Sequence, residues 1–322
     1  MSAAKTRLVA VIGAGLMGHG IAQVFAQGGY RVTMHDTSTS LLQAAEDRIE
    51  SNLRFLSEGL PDDEAGIEET MARINTTVDL EEAVGEAHFV TESVPENLQL
   101  KTELFNAMEA LAPRDAILAS NTSMLKITDI GKGVRDKERL VTTHWFNPPY
   151  LIPVVEVVKG AHTSPETVER TASLLRGMGK VPVRLLREVP GHLINRIQFA
   201  LFRETLALLD AGVAAPEEID RAVSGSLGLR LAAIGPLRSI DLAGLDLFWF
   251  GMKDIFRSLD TSPAPPGIIK EKVDAGHVGK KCGKGFFEYR SGGRLDDVER
   301  ERDEKLIGLL KILHPGKGES GA

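Results

Sequence analysis

Two residues near the middle of the chain have the types and spacing of an acid–base pair. His144 opens the run HWFNPP, and Glu156 follows 12 residues later inside PVVEVV. A carboxylate among valines on a buried strand needs a partner for its charge. A histidine is the natural candidate. The carboxylate would fix the imidazole tautomer and favour the protonated ring, so the other ring nitrogen could take a proton. Such a pair suits removal of a hydroxyl proton during hydride transfer. Alone, His144 reads as a hydrogen-bonded core histidine and Glu156 as a salt bridge at a sheet edge. Together they read as a site.

A second constellation lies near the start. Gly13-Ala14-Gly15-Leu16-Met17-Gly18 separates an apolar strand pattern from a helical one. In a GxGxxG turn of this kind Gly13 permits the tight bend, and Gly15 lets the backbone approach a pyrophosphate. Gly18 permits close helix–strand packing, and the helix N-terminus attracts the anion. Asp36 ends the second strand pattern 18 residues after Gly18. An acid there binds both ribose hydroxyls of NAD and repels the extra phosphate of NADP; Thr37-Ser38-Thr39 offers no arginine to replace it. Gly13, Gly15, Leu16, Met17, Gly18 and Asp36 are therefore candidate NAD contacts. The plainer alternative is a glycine-rich turn packed on a sheet.

These residues need elements to hold them. Strand patterns run over Leu8–Ile12, Arg31–His35, Ile74–Val78, Ala87–Glu92, Ala116–Ser120, Leu140–His144, Val154–Val158 and Val181–Leu185, and helical spacing falls between them. Alternation of this kind predicts an α/β fold, a Rossmann-type doubly wound, mostly parallel sheet. Past Val189-Pro190-Gly191 the strand signal fades. Helices are expected at Leu193–Gly212, Glu217–Ser226, Leu242–Leu259 and Arg300–Leu313, the last with Leu306, Leu309, Leu310 and Leu313 as its apolar stripe. The expected domains are thus residues 1–189, which carry the candidate NAD-binding turn, and 190–322, an all-α C-terminal domain.

Composition narrows the function class. The chain has 322 residues, 43% of them hydrophobic, and a net charge of −7. No Lys/Arg stripe is present, so nucleic acid is not an expected partner. No apolar run reaches membrane-spanning length, and Met1–Arg7 lacks the features of a secretory signal. Cys282 is the only cysteine. It cannot form an intrachain disulfide or a zinc cluster, so no metal site is expected, and a cytoplasmic setting fits.

At this point the chain resembles the L-3-hydroxyacyl-CoA dehydrogenase family along nearly its whole length. The resemblance rests on GAGLMGHGIA, ESVPENLQLK (Glu92 to Lys101), ASNTSMLKIT (Ala119 to Thr128), HWFNPP with VVEVVKG, VPGHLINR (Val189 to Arg196) and GKKCGKGFFEY (Gly279 to Tyr289), in that order. It implies that His144 is the general base and Glu156 its orienting carboxylate. Ser123 and Asn147 would hydrogen-bond the reacting oxygens and place the nicotinamide. Asn195 would support the substrate from the helical domain. Glu96 and Lys101 would line the NAD site, and Lys281 would reach the cofactor from the C-terminal segment. A homodimer through the C-terminal domain is also implied.

Two segments depart from the acyl-CoA members. Ser57–Thr70 reads SEGLPDDEAGIEET, with six acids and no base, where those members carry lysines for the coenzyme A nucleotide. Such a stretch repels a polyphosphate unless Arg54 or Arg73 compensates; it could equally be the solvated tip of a helical hairpin. Gly228–Pro236 holds Arg230, where acyl-CoA members usually have a shorter stretch without arginine. It resembles the branch acting on small free acids: L-gulonate 3-dehydrogenase with the lambda-crystallins, carnitine dehydrogenase and a pyridine-carboxylate dehydrogenase. Arg230 could bind a substrate carboxylate bidentately, or form a structural salt bridge. The expectation leans to a small free hydroxy acid, with an L-3-hydroxyacyl-CoA thioester as the alternative. A non-catalytic NAD-binding or structural protein, and a C=N reductase, are the readings from other classes.

Overall fold

The structure is a computed structural model and describes residues 8–59, 64–289 and 295–313. It divides into two compact units, residues 1–196 and 197–322.

The first unit is built on one eight-stranded sheet. Its strands are β1 (Leu8–Ile12), β2 (Arg31–His35), β3 (Ile74–Thr77), β4 (Phe89–Glu92), β5 (Ile117–Ser120), β6 (Leu140–Trp145), β7 (Val154–Val158) and β8 (Val181–Leu185). Their order is β3-β2-β1-β4-β5-β6-β7-β8. Every pairing is parallel except β6 with β7. The doubly wound sheet read from the alternation is therefore present, with one antiparallel step inside it. Strand order reverses between β1 and β4, and in open sheets ligands bind beyond the strands' carboxyl ends at such a crossing.

Helices cover both faces. The helix Gly18–Gln27 buries Ile21, Val24 and Phe25 in the same apolar cluster as Val9, Val11, Val32 and Met34. Leu42, Ala45, Ile49, Leu53 and Leu56 form the buried stripe of the helix Thr39–Gly59, at the i, i+3/i+4 spacing that one helix face requires. On the opposite face Ala10, Ile12, Val90 and Leu118 pack with Phe105 and Met108 of the helix Leu98–Leu111. Alternate strand residues thus serve two separate cores. Residues 60–63, and with them part of the acid-rich Ser57–Thr70 segment, lie outside the described residues, as does Met1–Arg7. The two arginines beside those acids are engaged locally, Arg54 with Glu50 at 2.6 Å and Arg73 with Glu69.

The second unit is helical, and three expectations need correction there. The helix expected over Leu242–Leu259 is two helices, Pro236–Ala243 and Leu245–Ile255. Gly244 separates them at φ 100°, a conformation no helix can contain. The helix expected over Glu217–Ser226 is α-helical only from Pro216 to Ala222; Val223–Gly228 is wound as a π-helix, and a short α-helix, Leu229–Ala233, follows. In the last helix, Leu295–Leu313, the buried face is Asp303 and Ile307, whereas Leu309 and Leu313 are exposed. Leu306 and Leu310 are half-buried beside it, so half of the expected leucine stripe lies on the covered face and half does not.

Candidate active site

The antiparallel step creates the central pair. Its register sets His144 of β6 directly opposite Glu156 of β7. Cross-strand partners point to the same face, so the two side chains meet. His144 Nδ1 lies 2.7 Å from Glu156 Oε2, with both residues buried. A carboxylate accepts, so Nδ1 carries the hydrogen and Nε2 is the basic nitrogen.

The other oxygen of Glu156 is held as firmly. The backbone N–H groups of Leu193 and Ile194 donate to Oε1 at 3.1 and 2.9 Å. Burial alone would push this carboxyl up. The hydrogen bonds from His144 and Ile194 outweigh it and hold the carboxyl below the ordinary carboxylate range. Glu156 therefore stays ionised at neutral pH and orients the imidazole.

A loop after β5 carries the next residues. Asn121 joins three strand ends: its Nδ2 donates to Ser93 Oγ at 3.2 Å and its Oδ1 accepts from Trp145 N–H at 2.9 Å. Ser123 is fixed through its backbone. Its N–H donates to Glu96 Oε1 at 3.1 Å and its carbonyl accepts from Asn195 Nδ2 at 3.1 Å. Glu96 Oε1 also accepts from the Thr122 hydroxyl and from Met124 N–H, at 2.5 and 2.8 Å. Burial pushes the Glu96 carboxyl up, but these hydrogen bonds and the Lys101 charge bring it below its usual range. Lys101 is buried, with Nζ 2.5 Å from Glu92 Oε1 and 3.1 Å from Val94 O. Ser120 Oγ donates to the other Glu92 oxygen at 2.6 Å. Glu96 and Lys101 thus shape the loops around Ser123 rather than standing as free surface charges. Asn147 is exposed just past the end of β6.

The glycine turn fits a dinucleotide. Gly13 adopts φ 99°, and a Cβ there would lie 2.8 Å from Ser93 O. A Cβ on Gly18 would lie 1.7 Å from Gly13 O, so only glycine fits. At Gly15 a Cβ would meet nothing within 4 Å. No protein packing therefore demands glycine at this position, and the open face is what a pyrophosphate requires. The helix behind the turn has no side-chain cap and no acid in its first turn, which leaves its N–H groups for an anion. Leu16 is exposed and Met17 half-buried at the tip. Asp36 is half-exposed: Oδ2 accepts from Ala14 N–H at 2.9 Å and Oδ1 from Thr37 N–H at 2.7 Å. Oδ1 also accepts from the Thr37 hydroxyl at 3.4 Å, so Oδ2 is the oxygen that keeps a lone pair for a ribose hydroxyl. Gly20 of the same helix faces Pro149, where an added Cβ would lie 3.0 Å from the ring, so the helix packs on the loop after His144.

Arg230 and Lys281 belong to the second unit, and both are exposed. Arg230 follows the π-helix and has no ion pair among the described residues. Lys281 lies in the 3₁₀ turn Lys280–Cys282.

Residues 8–189 match the profile of the 3-hydroxyacyl-CoA dehydrogenase NAD-binding domain, and residues 191–289 match that of the C-terminal domain. The chain belongs to the 3-hydroxyacyl-CoA dehydrogenase family. Among curated members it is 35% identical to 5-formyl-3-hydroxy-2-methylpyridine 4-carboxylate 5-dehydrogenase of Mesorhizobium japonicum, over 95% of this chain and 98% of that one. It is also 35% identical to a probable 3-hydroxybutyryl-CoA dehydrogenase of Bacillus subtilis, over 88% and 98% of the two chains. The crystal structure of a 5-dehydrogenase acting on the same pyridine carboxylate superposes with a TM-score of 0.89 at 34% identity, covering 96% of this chain and 99% of that one. The family is one of oxidoreductases acting on CH–OH groups with NAD, and the chain carries its NAD-binding domain.

One residue of this site carried little signal of its own. His192 lies inside VPGHLINR, and its neighbours hold Glu156. Its only sign in the sequence was a histidine after glycine in an otherwise apolar stretch.

Proposed function

We propose that this chain oxidises the secondary hydroxyl of a small hydroxy carboxylate to a carbonyl, with NAD⁺ as oxidant. The observation that carries the reaction is the buried His144–Glu156 pair, with Nδ1 tied to Glu156 Oε2 at 2.7 Å. Glu156 keeps the proton on Nδ1, so the Nε2 lone pair of His144 accepts the hydroxyl proton. NAD⁺, when bound, supplies the hydride acceptor. The carbon–hydrogen pair leaves as hydride, and the former oxygen–hydrogen pair becomes the second carbon–oxygen bond. Ser123 and Asn147 hydrogen-bond the reacting oxygen and orient it toward His144, and Asn195 holds the substrate and the Ser123 backbone. Gly13, Gly15, Leu16, Met17, Gly18 and Asp36 bind the cofactor, with Glu96 and Lys101 shaping its loops and Lys281 as a further contact.

For the substrate, Arg230 is the deciding residue. A guanidinium with no ion pair among the described residues suits a carboxylate, which a thioester lacks. The engagement of Arg54 with Glu50 and of Arg73 with Glu69 leaves the acid-rich segment poorly matched to a coenzyme A nucleotide. The similarity to the pyridine-carboxylate dehydrogenase favours the same reading. The thioester reading is favoured by the equally similar Bacillus subtilis relative. Domain roles follow the same proposal, with residues 1–189 binding NAD and 190–322 serving substrate and a homodimer. Support for the dimer comes from the apolar side chains Ile197, Phe199 and Phe202, and Trp249 and Phe250, which are all exposed on the helices that carry them.

The test is NADH formation with purified protein and two substrate sets, short L-3-hydroxyacyl-CoA thioesters and free hydroxy acids including L-gulonate, carnitine and 3-hydroxybutyrate. Turnover of free acids alone is the expected result. Strong turnover of thioesters would overturn the substrate assignment. Tight NADH binding without turnover of either set would favour a non-catalytic protein.

A further inference from the structure

His192 is fully buried and stands at φ 52°, the one described non-glycine residue at positive φ. That region disfavours side chains with a Cβ, and such outliers persist only where surrounding structure holds them. Here the turn is held at three points. His192 Nε2 lies 3.0 Å from Thr122 O. Asn195 Nδ2 donates to the neighbouring carbonyl of Ser123. The two N–H groups after His192 donate to Glu156 Oε1. The His192 ring centroid is 5.2 Å from that of His144.

The tautomer follows from the partner. A carbonyl only accepts, so Nε2 carries the hydrogen and Nδ1 is left with its lone pair. Nδ1 is buried with no partner. A proton on Nδ1 would be a buried donor with no acceptor, close to a second imidazole. Burial, the largest influence, lowers the His192 pKa. The Thr122 bond and the charges of Glu156 and Glu96 oppose this, and His144 adds to it.

We propose that His192 is a positioning residue of the active site, a neutral Nε2–H imidazole whose bond to Thr122 O ties the Asn121–Ser123 loop to the turn that clamps Glu156. The proposal rests on the reading of His144 and Glu156 as the reacting pair. One side chain thereby fixes the distance between the group that removes the proton and the loop that holds the reacting oxygen. An apolar residue at this position would keep the packing and lose the tie.

Two variants separate the side chain from the backbone. His192→Gly keeps the left-handed turn and the Glu156 clamp but removes the donor. His192→Asn also tolerates positive φ and supplies an amide N–H. Each is assayed in the full-length protein with the best substrate from the two sets above. His192→Gly is expected to lower kcat roughly 10- to 100-fold with KM little changed, as for a displaced reacting group. His192→Asn is expected to recover a large part of that loss. Wild-type kcat in His192→Gly, or no recovery in His192→Asn, would overturn the proposal. Nitrogen-15 NMR of histidine-labelled protein, with the His192 signals assigned through the variants, tests it without any substrate. The expected pattern is a pyrrole-type Nε2 and an unprotonated Nδ1 near neutral pH. A protonated Nδ1 would overturn the proposal even if no substrate were found; the expected tautomer with an inactive wild type would instead count against the proposed reaction.

Discussion

Glu156 uses its two oxygens on two different parts of the chain: Oε2 on the His144 ring and Oε1 on the backbone of Leu193 and Ile194. The carboxylate that orients the base is itself oriented by the turn after β8. Its hydrogen bonds keep its carboxyl below the ordinary range, so Glu156 protonates only at pH values below that range. It therefore carries its negative charge at neutral pH, and no activity loss there is due to it. Glu156→Gln retains the shape but removes the charge. It is expected to lower kcat roughly 10²–10⁴-fold, the scale of general-base catalysis. Wild-type kcat in this variant, measured at neutral pH, would detach Glu156 from the mechanism.

Gly15 and Gly18 are separable by experiment. Gly15→Ala places its methyl in open space, so the ligand-free protein should melt no lower than wild type while NADH affinity falls. Gly18→Ala drives its methyl into the Gly13 carbonyl and should lower the melting temperature itself. Thermal melts paired with NADH fluorescence titrations check both. Undiminished NADH affinity in Gly15→Ala would remove the pyrophosphate from that position.

Asp36→Ala is expected to weaken NAD binding by about 1–3 kcal/mol, the cost of losing hydrogen bonds to a charged acceptor. It should also narrow the preference for NAD over NADP, since the repelling charge is gone. Parallel titrations with NADH and NADPH measure both effects, and an unchanged ratio would place Asp36 outside the ribose site.

Lys180 gives a pH prediction. Its Nζ donates to Pro149 O at 2.6 Å and Ile152 O at 2.9 Å, below the loop that follows His144. Burial lowers its ammonium from 10.5 to about 8. From about pH 8 to 10.5 the folded chain therefore binds fewer protons than the unfolded chain, and stability rises with pH across that window. Below it both states are protonated, and the burial cost of about 3 kcal/mol is present in full. The wild type should gain stability relative to Lys180→Met between pH 8 and 10 in denaturant titrations. A constant difference would show that Lys180 does not titrate there.

Arg230→Met should raise KM for a free acid at least tenfold, the scale of a lost charge-assisted hydrogen bond. Kinetics on the best free acid check this, and an unchanged KM would assign Arg230 a structural role.

Much of this architecture was legible in the residues. Most strands of the first unit are short apolar runs bounded by polar residues, and the stripe from Leu42 to Leu56 fixes its helix face. The glycine turn and Asp36 could be read because each needs a particular residue at a particular spacing. The His144–Glu156 contact could only be inferred. It depends on β7 running antiparallel to β6, and no local pattern states the direction of a strand. His192 was harder still, because its importance lies in one carbonyl contact and a backbone angle. In the second unit the leucine spacing found only half of the covered face of the last helix, Leu306 and Leu310 but not Leu309 and Leu313. Its many exposed apolar side chains leave periodicity with several faces to choose from, and burial follows the packing partner rather than the leucine count.

The most direct test of the account is His144→Ala, assayed for kcat and for NADH affinity on the same preparation. The expected result is a loss of kcat of roughly 10²–10⁴-fold with NADH affinity nearly unchanged, because the ring serves proton transfer and not cofactor binding. Turnover at the wild-type rate would contradict the assignment of His144 as the base, and with it the central pair of the site.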